Sequence, residues 1–325
     1  MTPDEFNDMR DGAETAVLVS AAVETGLLRA LVSGPSTAAE VAARLDLDER
    51  AVGIVLAALV PAGLVTVDNE CFALTEVGRG QFADAASPEY MAGGLPHWLS
   101  VVRAFTRLPE AIREGGPVGD RLPGERARGH VARFMSAMAS RNDEQVSRTV
   151  ALVLGRRPRA RAALDLGGGP GVYARAMRAA GVEHVTLYDQ PETIDYVLEA
   201  YDLGSAPGIE AVRGDFMLDP LPAGPFDIVL LSNVVHIYEA EANAALLRRA
   251  AQVTAPGGVV AIGDFVRGRS PRAARFAVVM LLRTEGGNTY DEATYERWLR
   301  DSGFVDVQVD DLNDRAQLVT AVRAG

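Results

Sequence analysis

The chain has 325 residues, 48% hydrophobic and 23% charged, which suffices for two domains and is ordinary for a globular protein. Its net charge of −12, with 32 basic residues that are all arginine, argues against general affinity for nucleic acid or anionic membrane. The single cysteine, Cys71, allows no internal disulfide, and four histidines make a structural zinc site improbable. No apolar run nears the roughly 20 residues that span a bilayer. The start, Met1-Thr2-Pro3-Asp4-Glu5-Phe6, is not a basic-then-apolar leader, so the expected location is the cytoplasm.

Residues 13–32 place Ala16, Val19, Ala22, Val23, Leu27 and Leu31 on a helical period, and Gly34-Pro35 ends that helix. Ser36-Thr37-Ala38-Ala39-Glu40 reads as a capping box that opens a helix through Leu45. A third helix is predicted over 51–62, and 63–75 reads as a hairpin turning at Asp68-Asn69-Glu70. Helix, turn, helix and hairpin make a winged helix, assigned to residues 1–100. That fold often binds DNA, yet residues 35–80 carry Arg44, Arg50 and Arg79 against seven acids, and 51–62 hold no cation for phosphates. A DNA-binding regulator is therefore a distant alternative. Residues 101–155 read as a helical connector with turns at Gly115-Gly116-Pro117 and Pro123-Gly124. Within it, 131–154 is predicted as one long helix with Phe134, Met135 and Met138 on one face, a stripe that suits a core or a pocket wall.

Strand and helix alternate over 156–325, which predicts a doubly wound parallel sheet. An apolar run ends in Leu164-Asp165-Leu166-Gly167-Gly168-Gly169-Pro170-Gly171, and a helical segment follows from Val172. The glycines leave backbone bare where a helix start offers unpaired N–H groups. The spacing is neither the Gly-x-Gly-x-x-Gly of dinucleotide sites nor a phosphate loop, so an adenosine ligand without a diphosphate fits. Asp189 ends a second strand, Val185–Tyr188, where a carboxylate grips a ribose diol. Gly214-Asp215-Phe216 ends a third, supplying an acid and an aromatic for adenine. A fourth strand, Phe226–Leu231, ends at Ser232-Asn233, and Pro256-Gly257-Gly258 turns into a fifth, Val259–Ile262. All these candidates lie at carboxyl ends of strands, where such sheets bind ligands.

The run Leu-Asp-Leu-Gly-Gly-Gly-Pro-Gly, then Tyr188-Asp189-Gln190-Pro191, Gly-Asp-Phe, Leu231-Ser232-Asn233-Val234-Val235-His236 and Pro-Gly-Gly resembles the S-adenosylmethionine-dependent O-methyltransferases. Within them it is similar to the small-molecule class with an N-terminal winged-helix dimerisation domain. The resemblance implies a Rossmann-like class I methyltransferase domain, a homodimer, and a small-molecule acceptor with a hydroxyl, phenolic or polyketide-like, from secondary metabolism. It implies S-adenosylmethionine as methyl donor, S-adenosylhomocysteine as product, no metal, no nucleic-acid partner and no membrane partner. Asp165, Gly167, Gly169, Asp189, Gln190, Asp215, Phe216, Ser232 and Asn233 are the expected cofactor residues.

Methyl transfer to a hydroxyl needs alignment and a group to take the proton, and histidine suits that role near neutral pH. His236 follows the fourth strand and Asp264 ends the fifth. Their separation matches that of the family's catalytic histidine and its acidic partner, which implies that His236 is the base and Asp264 its orienter. Plant members carry a further glutamate after a Gly-Gly pair; here Thr289 holds that position, so the histidine is framed on one side only. Phe276, Met280 and Arg283 are expected on the acceptor wall with Phe134, Met135, Met138 and His236, and Arg283 points to an anionic acceptor. C- or N-methylation, or a homologue turned to chemistry other than methyl transfer, are the alternatives within the fold. A metal held by two histidines is disfavoured because only His236 falls near the crevice.

Overall fold

The computed structural model describes all residues except Pro88, 119–130, 133, 137 and 140–142. The chain divides into two compact units, Met1–Arg103 and Ala104–Gly325.

The first unit begins with α1 (Pro3–Glu24), longer at its start than the periodicity predicts because Thr2 and Glu5 close a capping box. Gly26, at φ +79°, breaks the expected 13–32 helix and leaves a separate turn, α2 (Leu27–Ala30). Next come β1 (Ser36–Thr37), α3 (Ala38–Leu45), α4 (Glu49–Leu59), β2 (Val65–Asp68) and β3 (Cys71–Leu74), and then α5 (Leu95–Phe105), whose last two residues fall in the second unit. The Thr37 box forms as read: the Glu40 N–H donates to Thr37 Oγ1 at 3.3 Å, and the Thr37 N–H donates to Glu40 at 2.8 Å. The hairpin β2–β3 gains β1 as a third strand, in the order β1-β3-β2. Leu28, Leu31, Leu56 and Leu59 are fully buried in this unit's core, each contributing about 1.5–3 kcal/mol.

The second unit contains α6 (Leu108–Glu114), helical residues between 131 and 139, and α7 (Asp143–Arg156). Whether 131–154 is one helix falls on residues outside the described set. Then follow β4 (Ala162–Leu166), α8 (Val172–Ala179), β5 (His184–Asp189), α9 (Pro191–Ala200), β6 (Ile209–Arg213), β7 (Phe226–Ser232), α10 (Ala240–Val253), β8 (Thr254–Asp264), α11 (Pro271–Arg283), α12 (Glu292–Asp301), β9 (Phe304–Asp311) and β10 (Gln317–Arg323). The sheet order is β6-β5-β4-β7-β8-β10-β9. Strands β4 to β8 pair in parallel, but β10 runs antiparallel to both β8 and β9. The sheet is thus mixed rather than parallel throughout, because the short loop 312–316 can only return the chain as a hairpin. Pro256-Gly257-Gly258 lies inside β8 as an irregularity between the pairs Phe226↔Thr254 and Ile228↔Val259. Along β7, Val229 and Leu231 pack into one core cluster and Ile228 and Leu230 into the other. Both sheet faces are therefore covered, as a central parallel strand requires. Strand order reverses between β4 and β7, which opens a crevice at their carboxyl ends. Among the described residues no helix is long and apolar enough to cross a membrane.

Candidate active site

The glycine loop after β4 is shaped by what it excludes. Gly167 has φ +71°, and a Cβ there would stand 2.6 Å from Val234 Cγ2. Its N–H donates to the Tyr188 carbonyl at 2.7 Å. Gly169, at φ +51°, turns its N–H to Asp189 Oδ2 at 2.8 Å, while Asp189 Oδ1 accepts the Gln190 N–H at 2.7 Å. The loop and the acid that ends β5 are therefore locked together. Burial pushes the Asp189 carboxyl above its ordinary range, against the pull of those backbone hydrogen bonds. Asp165 is fully buried beneath the loop, where a Cβ on Gly168 would come within 2.8 Å of its carboxylate.

A cavity of about 290 Å³ lies over this loop. Among the predicted residues, Asp165, Gly167, Gly169, Asp189, Gln190, Phe216, Ser232 and Asn233 line it. Phe134, Met135 and Met138 line it too, so the stripe on 131–139 faces the cavity of its own unit. The Met135 sulfur lies 3.5 Å from the Cβ position of Gly169. Asn233 sits in the left-handed region, φ 58°, which asparagine tolerates, with its N–H on the Gly263 carbonyl at 2.8 Å and its Nδ2 on Ser232 Oγ at 3.0 Å. Asp215 is not part of the lining. Its Oδ1 accepts the Met217 N–H at 2.8 Å, which shapes the turn that presents Phe216. Sequence reasoning passed over Tyr238, which lines the cavity with its ring edge-on to Phe216 at 6.0 Å. Burial pushes its hydroxyl up to about 12, helped by the negative charge of Asp215 and Asp189. An aromatic two residues past the candidate base was the available signal.

His236 and Asp264 meet across the ends of β7 and β8. His236 Nδ1 lies 2.8 Å from Asp264 Oδ1, the His236 backbone N–H donates to Oδ2 at 3.1 Å, and the Phe265 N–H donates to Oδ1 at 2.7 Å. Asp264 thus holds both the ring and the main chain of His236, and both residues are buried. A carboxylate surrounded by N–H groups accepts throughout, which puts the imidazole proton on Nδ1 and leaves Nε2 with a lone pair. The turn carrying His236 is pinned from behind. Asn243 Nδ2 donates to the carbonyls of Val235 (2.9 Å) and Tyr238 (3.0 Å), and the Tyr290 hydroxyl donates to the Tyr238 carbonyl at 2.6 Å. These two positions were also missed, since nothing local marks them.

The remaining acceptor-side candidates sit on α11, away from the cavity lining. Phe276 packs edge-on against the His236 ring, centroids 4.8 Å apart, and stacks on Phe265 at 4.1 Å. Met280 is buried. Arg283 is half-buried, and desolvation lowers its pKa. Thr289 is buried, and its hydroxyl donates to the Ala273 carbonyl at 3.2 Å; it ties a loop to α11 and does not reach the imidazole. Tyr295, Trp298, Leu299 and Phe304 are core. Among the described residues no group of three histidine, cysteine or acidic side chains could hold a metal ion.

The chemistry of this donor set suits a nucleoside with a compact tail: bare backbone on one wall, one carboxylate for hydroxyls, aromatic and thioether surfaces for the rest. The family model for the O-methyltransferase domain matches residues 124–305. The chain belongs to the O-methyltransferase family. It is similar to the tetracenomycin polyketide synthesis 8-O-methyl transferase TcmO of Streptomyces glaucescens, 29% identical over 88% of this chain and 87% of that protein. It is also similar to the 3-hydroxy-5-methyl-1-naphthoate 3-O-methyltransferase of Streptomyces sahachiroi, 28% identical over 94% of this chain and 90% of the other. The crystal structure of human N-acetylserotonin methyltransferase in complex with S-adenosylmethionine superposes with a TM-score of 0.83 at 23% identity, covering 99% of this chain and 97% of that one. As an O-methyltransferase, the chain is an enzyme with the expected class I fold.

Proposed function

We propose that this O-methyltransferase moves a methyl group from S-adenosylmethionine to a hydroxyl of a small aromatic or polyketide-like secondary metabolite, with His236 as the base. The observation that carries the reading is the 2.8 Å contact between His236 Nδ1 and Asp264 at the strand ends beside the glycine-loop cavity. Gly167 and Gly169 offer bare backbone to the methionine portion, Asp189 accepts from the ribose hydroxyls, and Phe216 with Tyr238 frames adenine. Gln190, Ser232 and Asn233 complete that wall, and Asp215 supports it through the turn that holds Phe216. When bound, S-adenosylmethionine supplies an electrophilic methyl group on a sulfonium sulfur.

The rest of the chemistry belongs to the chain. A phenol with an ordinary pKa of about 10 is mostly protonated near neutrality. His236 Nε2 takes the acceptor's proton as the oxygen becomes nucleophilic, and the Asp264 carboxylate holds the ring and stabilises the imidazolium. Phe134, Met135, Met138, Phe276 and Met280 supply apolar wall, which favours an aromatic acceptor and excludes water from a charge-neutralising reaction. The names of the two bacterial relatives, one an enzyme of polyketide synthesis and the other a hydroxynaphthoate methyltransferase, support the same class.

We also infer a homodimer built through the winged-helix unit, acting in the cytoplasm. Phe6 and Met9, one turn apart on α1, are 53% and 60% exposed, which suits a face that another copy covers. Sedimentation would test this: a monomer at micromolar concentration refutes it. The catalytic reading is tested by incubating the enzyme with labelled S-adenosylmethionine and a panel of phenols and aromatic polyketides. Acceptor-dependent release of S-adenosylhomocysteine is expected. No binding of the methyl donor by a well-folded enzyme overturns the assignment.

A further inference from the structure

The chain is strongly acidic, yet residues 265–283 contain five arginines and no acid. Two of these arginines are matched by acids: Arg267 approaches Asp291, and Arg269 pairs with Glu292 and Asp311. Arg272 and Arg275, one turn apart on α11, have no carboxylate within ion-pair distance among the described residues, while Arg315 leans only towards exposed Asp314 at 3.8 Å. All three side chains are exposed; Arg272 faces Arg315 and Arg275 as like charges, with Asp314 as its opposing acid, and desolvation and then this crowding lower its pKa. Such crowding is unfavourable in the free enzyme and would be relieved by an anion.

The place of this cluster in the fold gives it a purpose. β10 begins at Gln317, directly opposite Asp264 of β8, and the Gln317 side chain accepts the Val266 N–H at 3.0 Å. Arg315 and the start of α11 therefore rise from two neighbouring strands just beyond the acid that holds His236. Along α11, Arg272 and Phe276 are four residues apart and share a face at about 6 Å of rise. Phe276 is the residue whose ring touches the imidazole. An anion at Arg272 would sit one helical turn from the ring that packs on the base.

We propose that Arg272, Arg275 and Arg315 form a subsite for a carboxylate carried by the acceptor, at the opposite end of the aromatic system from the hydroxyl that is methylated. This moves the acid-reading role from Arg283 to the other end of α11, and it rests on the acceptor site proposed above. The aromatic ring of such an acceptor lies against Phe276, its hydroxyl faces His236, and its acid group is held outside the apolar wall, where water and arginine share its charge.

The test compares 6-hydroxy-2-naphthoate with 2-naphthol, which differ only by the carboxylate. Calorimetric titration of the full-length enzyme saturated with S-adenosylhomocysteine is expected to show the naphthoate bound about tenfold more tightly. In the variant Arg272→Gln/Arg275→Gln/Arg315→Gln that preference disappears, and in the control Arg300→Gln, whose partner is Glu296 on the same helix, it is retained. If the triple variant does not fold, the exposed Arg315→Gln alone must reduce the preference. Equal binding of the two compounds, no binding of either, or a preference that survives the substitutions overturns the inference. If the preference behaves as expected but neither compound is methylated, the subsite stands and the methylation of this acceptor class falls. If naphthol is methylated with no preference for the acid, the subsite alone falls.

Discussion

The two walls of the crevice are built from different material. The proposed cofactor wall is built on main chain, one compact loop at the end of β4 locked to the acid that ends β5. The proposed acceptor wall is side chain, drawn from residues 131–139, α11 and the turn after β7. A wall of backbone cannot be altered by one substitution without closing it, since Gly167 and Gly168 have atoms within 2.8 Å of where a Cβ would stand. A wall of side chains can be rebuilt residue by residue. One architecture can thus keep one methyl donor and change its acceptors.

The largest expected effect comes where the two walls meet. His236→Ala should lower kcat by about 10²–10⁴-fold, while calorimetry shows affinity for S-adenosylmethionine unchanged within twofold. An equal loss in both quantities would mean that His236 supports the donor site, and the division into two walls would fail. Asp264→Asn should lower kcat less, because the amide can still hold the ring but stabilises the imidazolium poorly and can reverse its tautomer.

The second effect lies on the backbone wall. Gly167→Ala adds a methyl group at 2.6 Å from Val234 and forces alanine to φ +71°. Strain of about 1–3 kcal/mol predicts a loss of donor affinity of roughly 10–100-fold. The same substitution with Val234→Ala should recover part of it, since space but not φ is restored. Wild-type affinity in Gly167→Ala would show that the loop can relax, and the cofactor wall would then be as adaptable as the acceptor wall.

This contrast also explains which parts of the site are legible in the sequence. The glycine run, Asp189 and the pair His236–Asp264 are legible because each follows an apolar strand, and strand ends converge in a parallel sheet whatever the loops do. The antiparallel β10 was not legible: Gln317–Arg323 carries an ordinary strand pattern, and its direction is set by the short loop 312–316. Asn243 and Tyr290 were invisible for another reason. They act on backbone carbonyls of the 235–238 turn, and no local pattern tells which carbonyl a distant side chain will meet. Phe276 was expected on the acceptor wall, but its edge-on contact with the imidazole depends on where α11 packs. The acceptor side is less legible because it consists of such long-range contacts.

A smaller effect concerns Asp189. Its carboxyl is pushed above the ordinary range by burial, so it takes up a proton at a higher pH than an exposed aspartate. The neutral form loses its charge and one acceptor site, and ribose hydroxyls donate to it less well. Affinity for S-adenosylhomocysteine should therefore be full at neutral pH and decline on acidification, beginning above the usual carboxylate range of about 4. Asp189→Asn should bind more weakly and show no such decline. For folding alone the sign is reversed: a raised carboxyl pKa favours the folded state below the unfolded value, and that contribution is lost as pH rises through the folded one. Donor affinity and stability of the free enzyme should thus respond to pH in opposite directions at this residue.

The smallest effect separates shape from hydrogen bonding on the cofactor wall. Tyr238→Phe keeps the ring that meets Phe216 edge-on and removes a hydroxyl that burial and two nearby acids hold protonated. A hydroxyl that stays protonated near neutral pH can serve only as a hydrogen-bond partner, so its removal should cost donor affinity no more than about tenfold. Tyr238→Ala, which also empties the aromatic surface, should cost more. If the two variants lose affinity equally, the hydroxyl is the whole of the residue's contribution. A side-chain contact would then be as indispensable to the cofactor wall as its bare backbone.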